Sequence, residues 1–85
     1  MPRKDRLAGV RSTLRAVESG TARRVFVAED AEERVTKRVV ALCREKGVPV
    51  ETIPSMKELG ESCGLRVGAS CCAVLSSPEE ITWND

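Results

Sequence analysis

Two arginines near the start of the chain have the spacing of neighbours on a helix surface. Arg11 and Arg15 are four residues apart in a segment with helical periodicity, and side chains at this spacing lie next to each other. Like charges there are unfavourable, and the positive end of the helix dipole also disfavours cations at an N-terminus. An external anion would compensate both effects. The pair therefore indicates an anion-binding helix end, and a solvent-exposed basic face is the alternative.

A short loop between two glycines is the second candidate binding element. Residues 64–68, which we call the glycine-bounded loop, begin and end with glycine and carry Leu65, Arg66 and Val67 between them. Glycine lets a backbone approach a ligand closely, because it has no side chain. A helix end and a strand start fix the length of the loop, so we expect at least one of its two apolar side chains to stay exposed. The alternative is an ordinary helix-to-strand connection.

The four cysteines, by contrast, do not have the spacing of a metal site. They are Cys43, Cys63, Cys71 and Cys72, with no CxxC motif and no histidine in the chain, so the usual zinc ligand pattern is absent. We predict buried, reduced thiols, since free cysteine is among the most buried residue types. No metal and no cofactor is expected. A nucleophilic Cys63 is an alternative that the lack of a histidine base disfavours.

Other catalytic and nucleotide-binding patterns are also missing. Neither GxGxxG nor a phosphate-binding loop with lysine occurs. Asp30 and Glu33 have the spacing of a helix cap, which leaves Glu29 as an unexplained carboxylate in a strand-to-helix loop. Aromatic residues make up only 2% of the chain, which argues against the aromatic platforms that stack single-stranded bases.

Hydrophobic periodicity and turn residues predict the elements that hold these residues. The expected order is a short edge strand within residues 7–10, a helix over 9–19, strand 24–28, a helix from about 30 to 46, strand 50–53, a short helix after Ser55, strand 71–75 and a final helix cap at 77–80. Ser55 and Glu58 form a capping box for the short helix. Strands that alternate with helices imply an α/β fold, here a three-layer α/β/α sandwich with a small mixed sheet.

Composition places these elements in one domain. The chain has 85 residues, 41% of them hydrophobic and 32% charged, as in soluble globular proteins. Residues 1–24 hold seven basic and two acidic side chains, whereas the rest is net acidic, which suggests one local anionic contact. We expect a flexible basic tail over 1–6 and a single domain over 7–85. No secretory signal or membrane span is expected, so a cytoplasmic location is predicted.

Several sequence blocks resemble one family. The chain is similar to the small bacterial members of the ribosomal L-seven-Ae / L-thirty-e family over roughly residues 7–76. The blocks are GVRSTLR at 9–15, VAEDA at 27–31, PSMKELG at 54–60 and CGLRVG at 63–68. The family fold is an α/β/α sandwich, which agrees with the fold expected from periodicity.

The resemblance implies binding to kink-turn RNA. A kink-turn is a bent duplex with tandem sheared G·A pairs and a splayed nucleotide. The family inserts the N-terminus of its first helix at the G·A pairs and covers the splayed base with apolar side chains of a loop. The corresponding positions are Gly9, Arg11, Ser12 and Arg15 on the helix, Leu65, Arg66 and Val67 in the loop, and Glu29 in a second contact loop.

The sequence therefore predicts a non-catalytic protein that recognises and stabilises kink-turns in structured RNA, such as ribosomal RNA or a riboswitch. The expected partner is RNA and neither DNA nor a membrane, and the expected state is a monomer. A protein-interaction module of the same fold without RNA binding is the alternative. A small enzyme built on Cys63 is a third hypothesis.

Overall fold

The computed structural model describes residues 5–75, which form four strands and three helices. In chain order these are β1 (Arg6–Ala8), α1 (Val10–Ser19), β2 (Ala22–Ala28), α2 (Glu33–Lys46), β3 (Val50–Ile53), α3 (Met56–Ser62) and β4 (Cys71–Leu75). Every element expected between residues 7 and 75 is present. Arg6, which the sequence predicts to lie in the basic tail, is the first residue of β1. The predicted cap at 77–80 lies outside the described residues.

The four strands form one mixed sheet in the order β1-β4-β2-β3. β2 runs parallel to β3 and antiparallel to β4, and β1 pairs with β4 antiparallel. β2 is therefore an interior strand, and only one of its two neighbours is parallel. The predicted small mixed sheet is confirmed.

Helices cover both faces of this sheet and create two buried clusters. One cluster joins the sheet to α1 and α2 and includes Val17, Val25 and Val39. The other joins the sheet to α3 and includes Leu59, Cys63 and Cys72; we call it the α3-side cluster. The sheet lies between the two helical layers, which confirms the three-layer sandwich.

The helices α1 and α2 end where the sequence predicts. Gly20 and Gly47 adopt left-handed backbone conformations directly after α1 and α2, a conformation that glycine accepts without steric cost. The capping of α3 by Ser55 is also confirmed, since the backbone N–H of Glu58 donates to the Ser55 hydroxyl over 3.1 Å. The Glu58 carboxylate accepts a 3.4 Å bond from that hydroxyl, where a full capping box has a bond from the Ser55 backbone N–H. None of the helices in residues 5–75 is long and apolar enough to cross a bilayer.

The expected capping role of Asp30 at α2 is wrong. Glu32 is the residue that precedes α2, and no side chain caps its first amides. A turn closed by the bond from the Ala31 N–H to the Ala28 carbonyl separates Asp30 from the helix start. Its carboxylate instead accepts a 2.8 Å hydrogen bond from the backbone N–H of Met56, at the N-terminus of α3.

Candidate nucleic-acid interface

Three segments that the sequence predicts as contacts meet at one edge of the sheet. The backbone N–H of Gly9 donates to the Cys71 carbonyl over 2.9 Å, and the N–H of Ala28 donates to the Ser70 carbonyl over 2.9 Å. Residues 70 and 71 follow the glycine-bounded loop, with only Ala69 between them and its last glycine. The start of α1 and the end of β2 are therefore both bonded to the segment that leaves this loop.

The N-terminus of α1 is open to a ligand. Gly9, which precedes the helix, has a φ of 102°, a conformation that favours glycine. No side chain caps the first amides and the first turn contains no acidic residue. Unpaired amides at a helix start, together with the helix dipole, favour an anion there.

Arg11 and Arg15 are free cations on this helix. Both are exposed, and among residues 5–75 neither has an ion pair or a side-chain hydrogen bond. Val17 and Thr13 are fully buried on the opposite side of α1, which fixes the direction in which the arginines point. The half-buried Ser12 lies between the two faces. The helix thus presents two unneutralised positive charges to solvent.

The glycine-bounded loop folds back onto α3. The Leu65 N–H donates to the Gly60 carbonyl over 2.9 Å, and the Ala69 N–H donates to the Met56 carbonyl over 3.0 Å. Gly64 begins the loop with a φ of 80°. Both ends of the loop are therefore held by backbone bonds to the helix that precedes it.

The two apolar side chains of this loop have different surroundings. Leu65 is half-buried against the α3-side cluster, whereas Val67 is 69% exposed. The prediction that at least one of them stays exposed is confirmed, and the exposed one is Val67. Arg66 between them is also exposed and has no ion pair among residues 5–75.

Gly60 is a residue whose importance the sequence prediction missed. It lies inside α3 and is fully buried. A methyl group in its place would overlap the carbonyl oxygen of Val67 and approach the Cα of Gly68 to 3.0 Å. The missing side chain therefore lets the loop pack on the helix. A lone glycine inside a helical pattern often has such a packing reason, so its position was the available indication.

The loop after β2 completes this edge of the sheet. Glu29 is exposed, and its backbone N–H donates to the Ile53 carbonyl over 2.8 Å. Its neighbour Asp30 binds the start of α3 as described above. These bonds fix the backbone of residues 29 and 30 beside the start of α3. The structure thus brings Glu29 to the same edge as α1 and the glycine-bounded loop.

Comparison with known proteins identifies the family. The model of the ribosomal protein L7Ae/L30e/S12e/Gadd45 family matches residues 2–81. The chain belongs to this family. The relatives include an RNA-binding protein of Caldanaerobacter subterraneus subsp. tengcongensis, 44% identical over 80% of this chain and 83% of its own length. The RNA-binding protein YbxF of Geobacillus stearothermophilus is 43% identical over 79% of this chain and 82% of its own.

Solved structures share the fold. A 15.5 kD RNA-binding protein of Giardia lamblia superposes with a TM-score of 0.83 and 26% identity, covering 89% of this chain and 64% of that protein. A protein of Bacillus halodurans superposes with a TM-score of 0.80 and 22% identity, covering 87% of this chain and 74% of that one. The resemblance stated from sequence and the predicted fold class are confirmed. The family is non-enzymatic and its curated relatives are named for RNA binding, which confirms the prediction of a protein without catalysis.

Proposed function

We propose that this protein binds structured RNA and recognises and stabilises kink-turns. The observation that carries the proposal is that the start of α1 and the end of β2 are both hydrogen-bonded to the segment that leaves the glycine-bounded loop. These three segments carry the free arginines of α1, Glu29 and the exposed Val67. A kink-turn offers phosphates, purine edges and one unstacked base within a short distance. The protein offers positive charge, an apolar side chain and a carboxylate, which suit these three kinds of group.

The α1 end would dock at the G·A pairs. Arginine can donate two hydrogen bonds to O6 and N7 of guanine, and among residues 5–75 neither Arg11 nor Arg15 forms an ion pair that would compete. The uncapped first amides add donors for a phosphate oxygen. Gly9 has no side chain, and nothing lies within 4 Å of the position its Cβ would take, so RNA can come close to the helix start. Ser12 supplies a hydroxyl beside them.

The glycine-bounded loop would cover the splayed base. Val67 offers an exposed apolar surface, and apolar or aromatic contact is how proteins bind unstacked bases in RNA. Arg66 would meet a phosphate, and Leu65 would hold the loop on the α3-side cluster. Glu29 supplies an acceptor for an exocyclic amino group of a base.

Binding to a designed RNA pair tests the proposal. We expect a short duplex with a three-nucleotide bulge and tandem G·A pairs to bind, and the same duplex with those pairs changed to G·C to bind at least ~10-fold more weakly, which corresponds to about 1.4 kcal/mol. Fluorescence anisotropy gives the affinities, and energy transfer between the RNA ends reports the bend. A DNA duplex of the same sequence is the second control. Equal affinity for the G·A duplex, the G·C duplex and the DNA duplex would exclude kink-turn recognition and indicate nonspecific charge attraction.

Leu65 and Val67 form a matched pair for the role of the loop. Val67→Ala should weaken RNA binding by ~1–2 kcal/mol, as for loss of contact with a base, and should change stability by less than about 0.5 kcal/mol because the side chain is exposed. Leu65→Ala should lower the free energy of unfolding by ~1–2 kcal/mol, since a half-buried leucine loses part of its burial. Thermal melts and titrations on both variants measure this. A Val67 variant with parental affinity would remove base covering from the proposal.

The cellular setting is part of the same proposal. We infer a monomer in the cytoplasm, whose partner is a structured RNA of the ribosomal or riboswitch type. Sedimentation of the protein alone and with the kink-turn duplex gives the protein mass in each state. A dimer in the absence of RNA would contradict the monomer.

A further inference from the structure

Two cysteines on the α3 side of the sheet lie unusually close together. The sulfur atoms of Cys63 and Cys72 are 2.7 Å apart, and both side chains are buried, at 2% and 0% exposure. Both are free thiols. A disulfide bond is ~2.05 Å long, so the two sulfurs are already within an ångström of bonding distance. Among residues 5–75 this is the only such contact between cysteine sulfurs.

The two cysteines lie on either side of the glycine-bounded loop in the chain. Cys63 directly follows α3 and precedes the loop, and Cys72 is the second residue of β4. A bond between them would close a ring that contains the entire loop. The pair is therefore placed to change the freedom of the loop without touching its exposed side chains.

The two thiols differ in how easily they can react. Burial raises the pKa of the Cys72 thiol, and the neighbouring Cys63 raises this pKa further, while the guanidinium of Arg6 opposes the rise. Cys72 also lies in a strand that is paired on both sides. Cys63 instead directly follows a helix of seven residues, and chain ends and short elements open more readily than central strands. An oxidant would thus reach Cys63 first.

We propose that Cys63 and Cys72 form a thiol oxidation site, which a two-electron oxidant such as hydrogen peroxide converts to a disulfide. The Cys63 thiolate attacks one peroxide oxygen, becomes a sulfenic acid and releases hydroxide, which takes up the thiol proton as water. The Cys72 sulfur then displaces the sulfenic hydroxyl, which leaves as a second water with the Cys72 proton. Two electrons pass from the two sulfurs to the peroxide, and a dithiol reductant reverses the change.

The disulfide would stiffen the loop and leave its shape nearly unchanged. The sulfurs need to move by less than about 1 Å to reach bonding distance, so the backbone bonds that hold the loop on α3 can persist. A closed ring restricts the unfolded chain and stabilises the folded state. We expect the melting temperature to rise by roughly 4 °C or more on oxidation. This inference does not depend on RNA binding.

Tryptic peptides distinguish the possible pairings without any substitution. Cleavage after Arg38, Arg44, Lys57 and Arg66 places Cys43 in peptide 39–44, Cys63 in peptide 58–66, and Cys71 with Cys72 in peptide 67–85. The full chain is treated with hydrogen peroxide, its remaining thiols are alkylated in denaturant, and the digest is analysed by mass spectrometry. We expect peptides 58–66 and 67–85 to be joined, with the mass lower by two hydrogen atoms than the sum of the two thiol peptides. Fragmentation between Cys71 and Cys72 should place the bond at Cys72.

Two matched variants complete the test. Cys43→Ser removes a buried cysteine on the other face of the sheet and should leave the joined peptides and the rise in melting temperature intact. Cys63→Ala should abolish both while the reduced protein remains folded. If all cysteines of the parent are alkylated after peroxide treatment, or if the joined peptides are 39–44 and 67–85, the Cys63–Cys72 site is excluded.

Discussion

Replacement of Gly60 by alanine is expected to lower the stability of the protein and to weaken RNA binding together. Alanine is intrinsically the better residue inside a helix, by ~0.5–1 kcal/mol. Here, however, the added methyl group would overlap the carbonyl oxygen of Val67. Because the obstacle is backbone and not a flexible side chain, the loop must move away from α3. Overpacking of this kind destabilises by ~1–3 kcal/mol, and the moved loop carries the exposed Val67.

Gly68→Ala is the control for this experiment. A methyl group there would approach Met56 to 3.2–3.3 Å, a distance that needs only a small adjustment. We therefore expect a clear order in melting temperature, with the parent and Gly68→Ala close together and Gly60→Ala about 4 °C or more below them. RNA titrations on Gly60→Ala should show a loss of affinity together with the loss of stability. A Gly60→Ala protein that is more stable than the parent would show that helix propensity outweighs the packing against the loop.

The double change Arg11→Ala and Arg15→Ala should cause the largest loss of RNA affinity. Each arginine contact with a base or phosphate is worth ~1–3 kcal/mol, so the double variant should bind the kink-turn duplex at least about 30-fold more weakly. The dependence of affinity on salt should also become less steep, by about one unit for each lost phosphate contact. The fold should be unaffected or slightly stabilised, because two like charges near the positive end of a helix are removed.

A charge-matched variant separates site chemistry from net charge. Arg44→Ala with Lys46→Ala also removes two positive charges, here from the last turn of α2. This turn leads into the start of β3, and because β3 is parallel to β2, it lies at the end of the sheet opposite to the end of β2 and the start of α1. This variant should keep most of the affinity for the kink-turn duplex. If both double variants lose affinity equally, the α1 end is not the docking element, and long-range attraction explains the binding.

Local sequence patterns were sufficient for most of the fold. The glycines at 20 and 47 and the capping box at Ser55 locate helix ends because each depends on neighbouring residues alone. Apolar residues at helical spacing, with Val10, Leu14 and Val17 on one face of α1, likewise indicate which side of a helix is buried, and Val17 is indeed buried. Such features need no knowledge of the rest of the chain. The antiparallel pairing of β2 with β4, in contrast, is set by how distant segments meet, which the run of apolar residues in β2 does not encode.

The parts that the sequence did not reveal depend on contacts between distant segments. Asp30 has a reasonable spacing for a cap on α2, yet it binds an amide 26 positions away. Gly60 resembles a weak point in a helix until the loop that covers it is known. The sequence also does not show which of Leu65 and Val67 is exposed, since both are apolar and both are next to Arg66. The bonds that tie the segment after this loop to the start of α1 and the end of β2 follow from the sheet and not from sequence spacing.

The strand order has a consequence for how the protein is made. Among residues 5–75, β4 is the last strand to be synthesised, yet it lies between β1 and β2 and is the only neighbour of β1. The bond from Gly9 to Cys71 likewise joins the first helix to the last strand. A nascent chain in which β4 has not yet left the ribosome can therefore pair β2 with β3. It cannot form the bonds that join the start of α1 to the segment after the glycine-bounded loop. The proposed RNA-binding surface forms only after β4 has been synthesised, so chains that terminate before β4 lack it.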